Sequence, residues 1–319
     1  MSLVQDLTPL NLQEEQEKFF AKNCQYNPQF KYKKLITVNK LLKYGTPKPE
    51  YLKIAEKILA KAFDGRTEED IRQLEGELLT QEQAQQMIDK FLHENNMSEE
   101  IEVRWSDQFM SKASFYKNTF KIKLPVWHRR YEFLGTLYHE LGTHALRRIN
   151  YAQQPFFHKK KKLGFSDYLT TEEGLASIHT LMGRKFKLNY TAALNYLAVE
   201  YAQNHSFTET YQFIQQYIDD PQRIWHYTAR IKRGLYDTSE GGGFTKDLLY
   251  LEGFIKTLKY LQETDYDLRA LYIGKIAMQD VEKAWEMNPA YEPRMPSFYK
   301  NKYNYKQKIL KISKSNLIY

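Results

Sequence analysis

His139, Glu140 and His144 lie within six residues of one another in the stretch GTLYHELGTHALRRI, Gly135 to Ile149. Two imidazoles are natural ligands for a zinc-like ion. A neighbouring carboxylate that is not itself a ligand can take a proton from water, so the trio points to metal-assisted hydrolysis. The usual zinc-peptidase helix reads H-E-x-x-H, with its histidines four residues apart; here they are five apart. On a regular α-helix a four-residue step turns about 400° and nearly eclipses, whereas a five-residue step leaves the side chains about 140° out of line. One i→i+5 hydrogen bond, a π-bulge, absorbs the extra residue and restores a common face. Gly142, with no Cβ to crowd such a turn, sits between the histidines. The spacing therefore predicts a π-type turn between His139 and His144. The competing reading is a core helix in which two histidines fall near a glutamate. Phe133, Leu137, Leu141 and Ala145 recur every four residues, as a buried helix requires.

A catalytic zinc takes three protein ligands and keeps one position open. Glu173, in LTTEEGLASIH, is the third candidate, but Thr170 and Glu173 also spell a T-x-x-E capping box that needs no metal. Pattern alone leaves both readings open. Ser177, four residues after Glu173, is placed to orient a ligand or to be an ordinary helix serine. His93, His128, His205 and His226 stand outside any such pairing. Arg223, Tyr227, Arg230 and Arg233 follow helical spacing, so one stripe can present guanidinium groups, which bind planar carboxylates in bidentate fashion. A solvated basic helix would read the same way.

The elements that must position these residues come in three stretches. Residues 11–95 read as helical: PEYLKIAEKILAKAF puts Leu52, Ile54, Ala55, Ile58, Leu59 and Ala62 on one side, and Thr80 is placed to cap a later helix. EEIEVRWS, KASFYKN and TFKIKLPVW read as three short strands. From Thr170 the chain reads as helical again nearly to Asn288, where NPAYEPRMP interrupts it. The fold class is mainly α with a small central β-sheet, an α+β arrangement. One unit spanning 1–319 is expected, with 1–95 as a helical N-terminal subdomain and 96–319 as the core.

Composition narrows the chemistry. Hydrophobic residues make up 42% and charged residues 27% of the 319, values of an ordinary globular chain. The single cysteine, Cys24, excludes a zinc site built on thiolates. No signal peptide and no membrane helix is evident, so a cytoplasmic protein without a membrane partner is expected. The net charge of +8, concentrated in HKKKK (His158–Lys162) and in the six lysines of residues 300–319, favours an acidic partner. No groove-reading motif accompanies the lysines, so nucleic acid is not expected.

Four separated segments resemble the microtubule-associated tyrosine carboxypeptidase family. They are H-E-x-G-T-H at His139–His144, EEGLA at Glu172–Ala176, R-x-K-R-G at Arg230–Gly234, and FTKDLLYLEG at Phe244–Gly253. EKFFAKNCQYNPQF is similar to the start of the family's catalytic domain. The resemblance implies a zincin-like peptidase holding one Zn²⁺ per chain through His139, His144 and Glu173, with Glu140 as general base. It implies Arg230, Arg233 and Lys246 as substrate contacts, and Ser177 behind a ligand. The implied reaction removes a C-terminal residue, tyrosine or another aromatic, from an acidic peptide or protein tail, tubulin included. Two alternatives stand beside it: an endopeptidase with the same zinc chemistry, and a non-hydrolytic regulatory or binding protein on this fold.

Overall fold

The structure, a computed structural model, describes residues 3–109 and 111–318. It is mainly helical with one small sheet. The helices used below are α1 (Leu12–Ala21), α2 (Pro49–Ala62), α3 (Gln81–Glu94), α4 (Arg130–His139), α5 (Leu146–Ala152), α6 (Leu169–Gly183), α7 (Tyr190–Ala202), α8 (Phe207–Gln215), α9 (Pro221–Lys232), α10 (Leu248–Glu263) and α11 (Lys302–Ser315). The strands are β1 (Glu102–Ser106), β2 (Ala113–Tyr116) and β3 (Thr119–Lys123). No helix among the described residues is long and apolar enough to cross a membrane.

The chain forms two compact units, residues 1–70 with 189–251 and residues 71–188 with 252–319. This differs from the division expected at residue 95. Helix α3 lies before that boundary in sequence, yet belongs with the sheet and the histidine helix. Residues 189–251 lie after it, yet complete the first unit.

In the first unit, α2 packs on α7 through the stripe legible in sequence: Ala55, Ile58, Leu59 and Ala62 are buried. An aromatic cluster of Phe19, Phe207, Tyr211 and Trp225 joins α1, α8 and α9. Lys232 at the end of α9 is buried and donates to the carbonyls of Ala202, His205 and Glu240. It shares the last carbonyl of α7 with the Gly242 amide, which donates to Ala202 at 2.7 Å.

The second unit carries the sheet, in the order β1-β3-β2, with β1 parallel and β2 antiparallel to β3. Phe120 and Ile122 of β3 are fully buried. Thr80 forms a reciprocal capping box with Gln83 at the start of α3. Helix α6 is held by two glycine contacts. An added Cβ at Gly183 would lie 2.5 Å from the Gly135 nitrogen of α4, and one at Gly174 would lie 2.2 Å from the Gly253 carbonyl oxygen of α10. Side chains cannot intervene at either crossing, so backbone meets backbone. The glycines of EEGLA and YLEG are thus matched packing points that fix where α6 sits.

Candidate metal centre

Helix α4 runs to His139, passes through a π-helical turn over Glu140–Ala145, and continues as α5. Leu146 N–H reaches the Leu141 carbonyl, five residues back. This is the distortion that the His139–His144 spacing requires. A bulge leaves carbonyls to be satisfied by side chains. The buried Tyr272 hydroxyl donates to the Gly142 carbonyl, and Thr143 Oγ1 donates to the Tyr138 carbonyl at 2.9 Å. Gly142 is required for a different reason than the widened turn suggested. An added Cβ would lie 2.7 Å from Phe298 Cε1, so the ring occupies the space that a side chain would need.

The turn brings His139 and His144 onto one face, ring centroids 4.8 Å apart. Glu173 on α6 joins them, and one ligand atom from each of the three lies within 4.8 Å of the others. Among the described residues this is the one cluster of histidine, cysteine or carboxylate side chains able to hold a metal ion. The separation from His144 Nε2 to Glu173 Oε2 is 4.0 Å. Ligands about 2.1 Å from a tetrahedral zinc lie roughly 3.4 Å apart, so the trio is close to a ligand set but more open. The capping box that competed for Glu173 does not form: α6 is preceded by Tyr168, whose side chain makes no cap, and Thr170 already lies inside the helix.

Hydrogen bonds behind the rings select the tautomers. Thr180 Oγ1 gives its proton to the Ala176 carbonyl at 2.9 Å, so it accepts from His139 Nδ1, also at 2.9 Å. Glu172 Oε1 accepts from His144 Nδ1 at 2.7 Å. Both Nε2 atoms are left with lone pairs facing the ligand cluster, the state that a metal needs. The donor set therefore fits a divalent ion. Burial pushes the His139 imidazole down to about 4, against the pull of Glu140. Burial acts the same way on His144 and is the largest single influence, but its bond to Glu172 together with the charges of Glu172, Glu173 and Glu140 makes the net shift upward.

Glu172 is the residue that sequence reading passed over. It is 2% exposed. Burial alone would raise its carboxyl, yet Lys275 and Arg147 hold it well below the ordinary range. Lys275 Nζ lies 2.7 Å from Oε1, and the fully buried Arg147 pairs with Oε2. Arg147 is fixed in turn by the carbonyls of Leu271 and Ile276. Ser177, expected behind a ligand, has no hydrogen bond to any of the three; Thr180 and Glu172 fill that place. Helix geometry carried the hint, since a seven-residue step from Glu173 to Thr180 turns about 700° and ends closer to the same face than the four-residue step to Ser177. A second chain of bonds lies behind the turn: His179 Nδ1 donates to Thr143 Oγ1 at 2.7 Å, and the Tyr305 hydroxyl donates to His179 Nε2 at 3.1 Å.

Glu140 turns one carboxylate oxygen toward the cluster, with Oε1 3.9 Å from His139 Nε2. Its other oxygen accepts from the Phe115 amide of β2 at 2.8 Å. The sheet therefore orients this carboxylate directly.

Arg230, Arg233 and Lys246 belong to the other unit. Arg230 donates from Nε and Nη2 to Oδ1 of the buried Asp247, at 3.0 and 2.6 Å. Arg223, the first residue of the expected stripe, forms a bidentate pair with the buried Glu68. Arg233 makes no ion pair among the described residues; its Nε donates to the Arg230 carbonyl and its guanidinium lies over Phe244. Lys246 sits half-buried in the short turn before α10. Of HKKKK, Lys160 is built into the fold, bonding the Lys275 carbonyl and lying over Tyr168, while Lys159, Lys161 and Lys162 are exposed.

Comparison with known proteins agrees with the motifs. The family model described as "Microtubule-associated tyrosine carboxypeptidase" matches residues 39–316. Microtubule-associated tyrosine carboxypeptidase 1 from Mus musculus is 32% identical over 317 residues, covering 97% of this chain and 68% of that protein. The Homo sapiens protein of the same name is 32% identical, covering 97% and 67%. Putative tyrosine carboxypeptidase MATCAP2 from Mus musculus is 32% identical, covering 97% and 61%. The chain belongs to the microtubule-associated tyrosine carboxypeptidase family.

Proposed function

We propose that the protein is a zinc-dependent carboxypeptidase of zincin type that removes one C-terminal residue, tyrosine or another aromatic, from acidic peptide or protein tails. The observation that carries the reading is the π-turn that aligns His139 and His144 beside Glu173, with Glu140 facing the same point. A zinc ion held by the three side chains supplies Lewis acidity toward the scissile carbonyl and lowers the pKa of water there. Glu140 takes the proton of the attacking water and returns it to the departing amine, a role its Phe115 anchor orients it for. Thr180 and Glu172 keep the two imidazoles in the ligating tautomer. Arg233, which makes no ion pair among the described residues, receives the substrate's terminal carboxylate. Arg230 supports it from its pair with Asp247, and Lys246 adds charge. The relatives' names supply tyrosine as the residue released and the microtubule as its setting, which makes a tubulin tail the first substrate to try. The protein acts in the cytoplasm on this reading. The test is a single preparation assayed on a tyrosine-terminated acidic peptide before chelation, after chelation and after zinc is restored. Activity should disappear and return. Undiminished activity after complete metal removal would overturn the zinc reading.

A further inference from the structure

The outer side of the metal-binding helix carries a groove that the hydrolytic reading does not use. It has a volume of about 870 Å³ and runs between α3, α4, the turn at Ser297–Tyr299 and α11. Phe91, Leu134, Leu137, Tyr138 and Phe298 line its apolar side. Of these, Leu134, Tyr138 and Phe298 are only half-buried, so the apolar surface is left unfinished. Lys90, Arg130, Lys300 and Lys308 also line it, against the single acid Glu94. Arg130 is committed to Glu77, and Lys90 has a loose exposed pair with Glu94 at 3.9 Å. Lys300 and Lys308 are exposed and make no ion pair among the described residues. Lys185 lies over Tyr131 of the same groove. Burial lowers Lys187 to about 8 against the pull of Glu75, with smaller contributions in the same direction from Lys311, Lys308 and Lys185.

We propose that this groove is a docking site for an acidic peptide segment carrying one large apolar side chain, separate from the metal centre. The lysines match the segment's carboxylates and the Leu134–Phe298 side accepts the anchor. Charge complementarity sets the sign of the partner. Leu134 and Leu137 beside the rings of Phe91, Tyr138 and Phe298 form an apolar wall suited to a peptide side chain, and no groove-reading motif accompanies the lysines to favour a nucleic acid. Phe298 gives the site a route to the chemistry, because its ring meets Tyr138 at 4.7 Å and occupies the space at Gly142 in the π-turn.

The test is fluorescence anisotropy with the full chain and a labelled, C-terminally amidated peptide of eight glutamates around one phenylalanine. The amide removes the terminal carboxylate, and no turnover is read, so failure of the hydrolytic reading leaves this test intact. Saturable binding should persist in Glu140→Gln and after metal removal. It should weaken about tenfold or more in Lys300→Glu/Lys308→Glu, with a smaller loss in Leu134→Ser. Lys159→Glu/Lys162→Glu reverses the same charge elsewhere and should change affinity less than twofold. Unchanged binding in the Lys300/Lys308 variant, an equal loss in the Lys159/Lys162 control, or equal affinity for a peptide with glycine in place of phenylalanine would each overturn the proposal. So would complete displacement of the peptide by an equal concentration of a single-stranded oligonucleotide.

Discussion

Glu172 accepts a 2.7 Å hydrogen bond from Nδ1 of His144, while the next residue, Glu173, presents its carboxylate 4.0 Å from Nε2 of the same ring. Adjacent glutamates thus address opposite edges of one imidazole, one at each ring nitrogen. Glu172→Gln should lower metal affinity about 10- to 100-fold, the usual cost of losing such a partner. It should also destabilise the fold by about 3–5 kcal/mol, because the buried Arg147 loses its carboxylate. Metal titration and urea unfolding of the same variant read both. Wild-type affinity in Glu172→Gln would show that the bond does not matter to the ligand.

Glu140→Gln should keep full metal content and lose hydrolysis by about 10²- to 10⁴-fold, because it removes a base and not a ligand. Turnover at the wild-type rate would end the role assigned to Glu140.

How much of this was legible in sequence follows from what each residue needs. The π-turn was legible because five-residue spacing contradicts a shared face unless the helix deforms. The buried faces of α2 and α4 and the three strands were legible from apolar periodicity. Glu172 was not picked out because EE reads as surface charge, and Thr180 because its seven-residue step from Glu173 was passed over for the nearer Ser177. The boundary at residue 95 missed because chain order does not report that residues 189–251 return to the first seventy. Nor could a row of arginines reveal that Glu68 and Asp247, distant in sequence, already hold two of them.

The glycines should rank by what they face. Gly142→Ala meets the edge of a side-chain ring at 2.7 Å and should cost about 1–3 kcal/mol. Gly174→Ala meets backbone atoms of Gly253 at 2.2 and 2.3 Å, with no rotamer to yield, and should cost more. Thermal melts of the two variants compare them, and a milder Gly174→Ala would contradict the clamped position of α6.

His179 should make the fold acid-sensitive. Burial lowers its imidazole to about 3, below the ordinary 6.5. Between those values the unfolded chain binds more protons than the folded one, so stability is full above about 6.5 and falls as pH drops toward 3. At pH 5 the loss from this group should be about 2 kcal/mol relative to pH 7. His179→Asn should flatten the pH dependence of urea unfolding by that amount. The same slope in both proteins would contradict the buried neutral ring.

The two arginines should separate. Arg230→Ala strands the buried Asp247 and should destabilise the fold by about 3–5 kcal/mol. Arg233→Ala breaks no ion pair and should instead weaken a free-acid peptide by about 1.5–3 kcal/mol while scarcely changing its amide. Equal effects of Arg233→Ala on acid and amide would remove it from carboxylate recognition.

The most direct measurement is mass spectrometry of two peptides incubated with the zinc-loaded protein, both acidic and ending in tyrosine, one with a free C-terminus and one amidated. The free acid should lose a single tyrosine and nothing more, and the amide should stay intact. Cleavage of both at an internal bond would make the protein an endopeptidase, and an intact acid beside full zinc occupancy would contradict hydrolysis altogether.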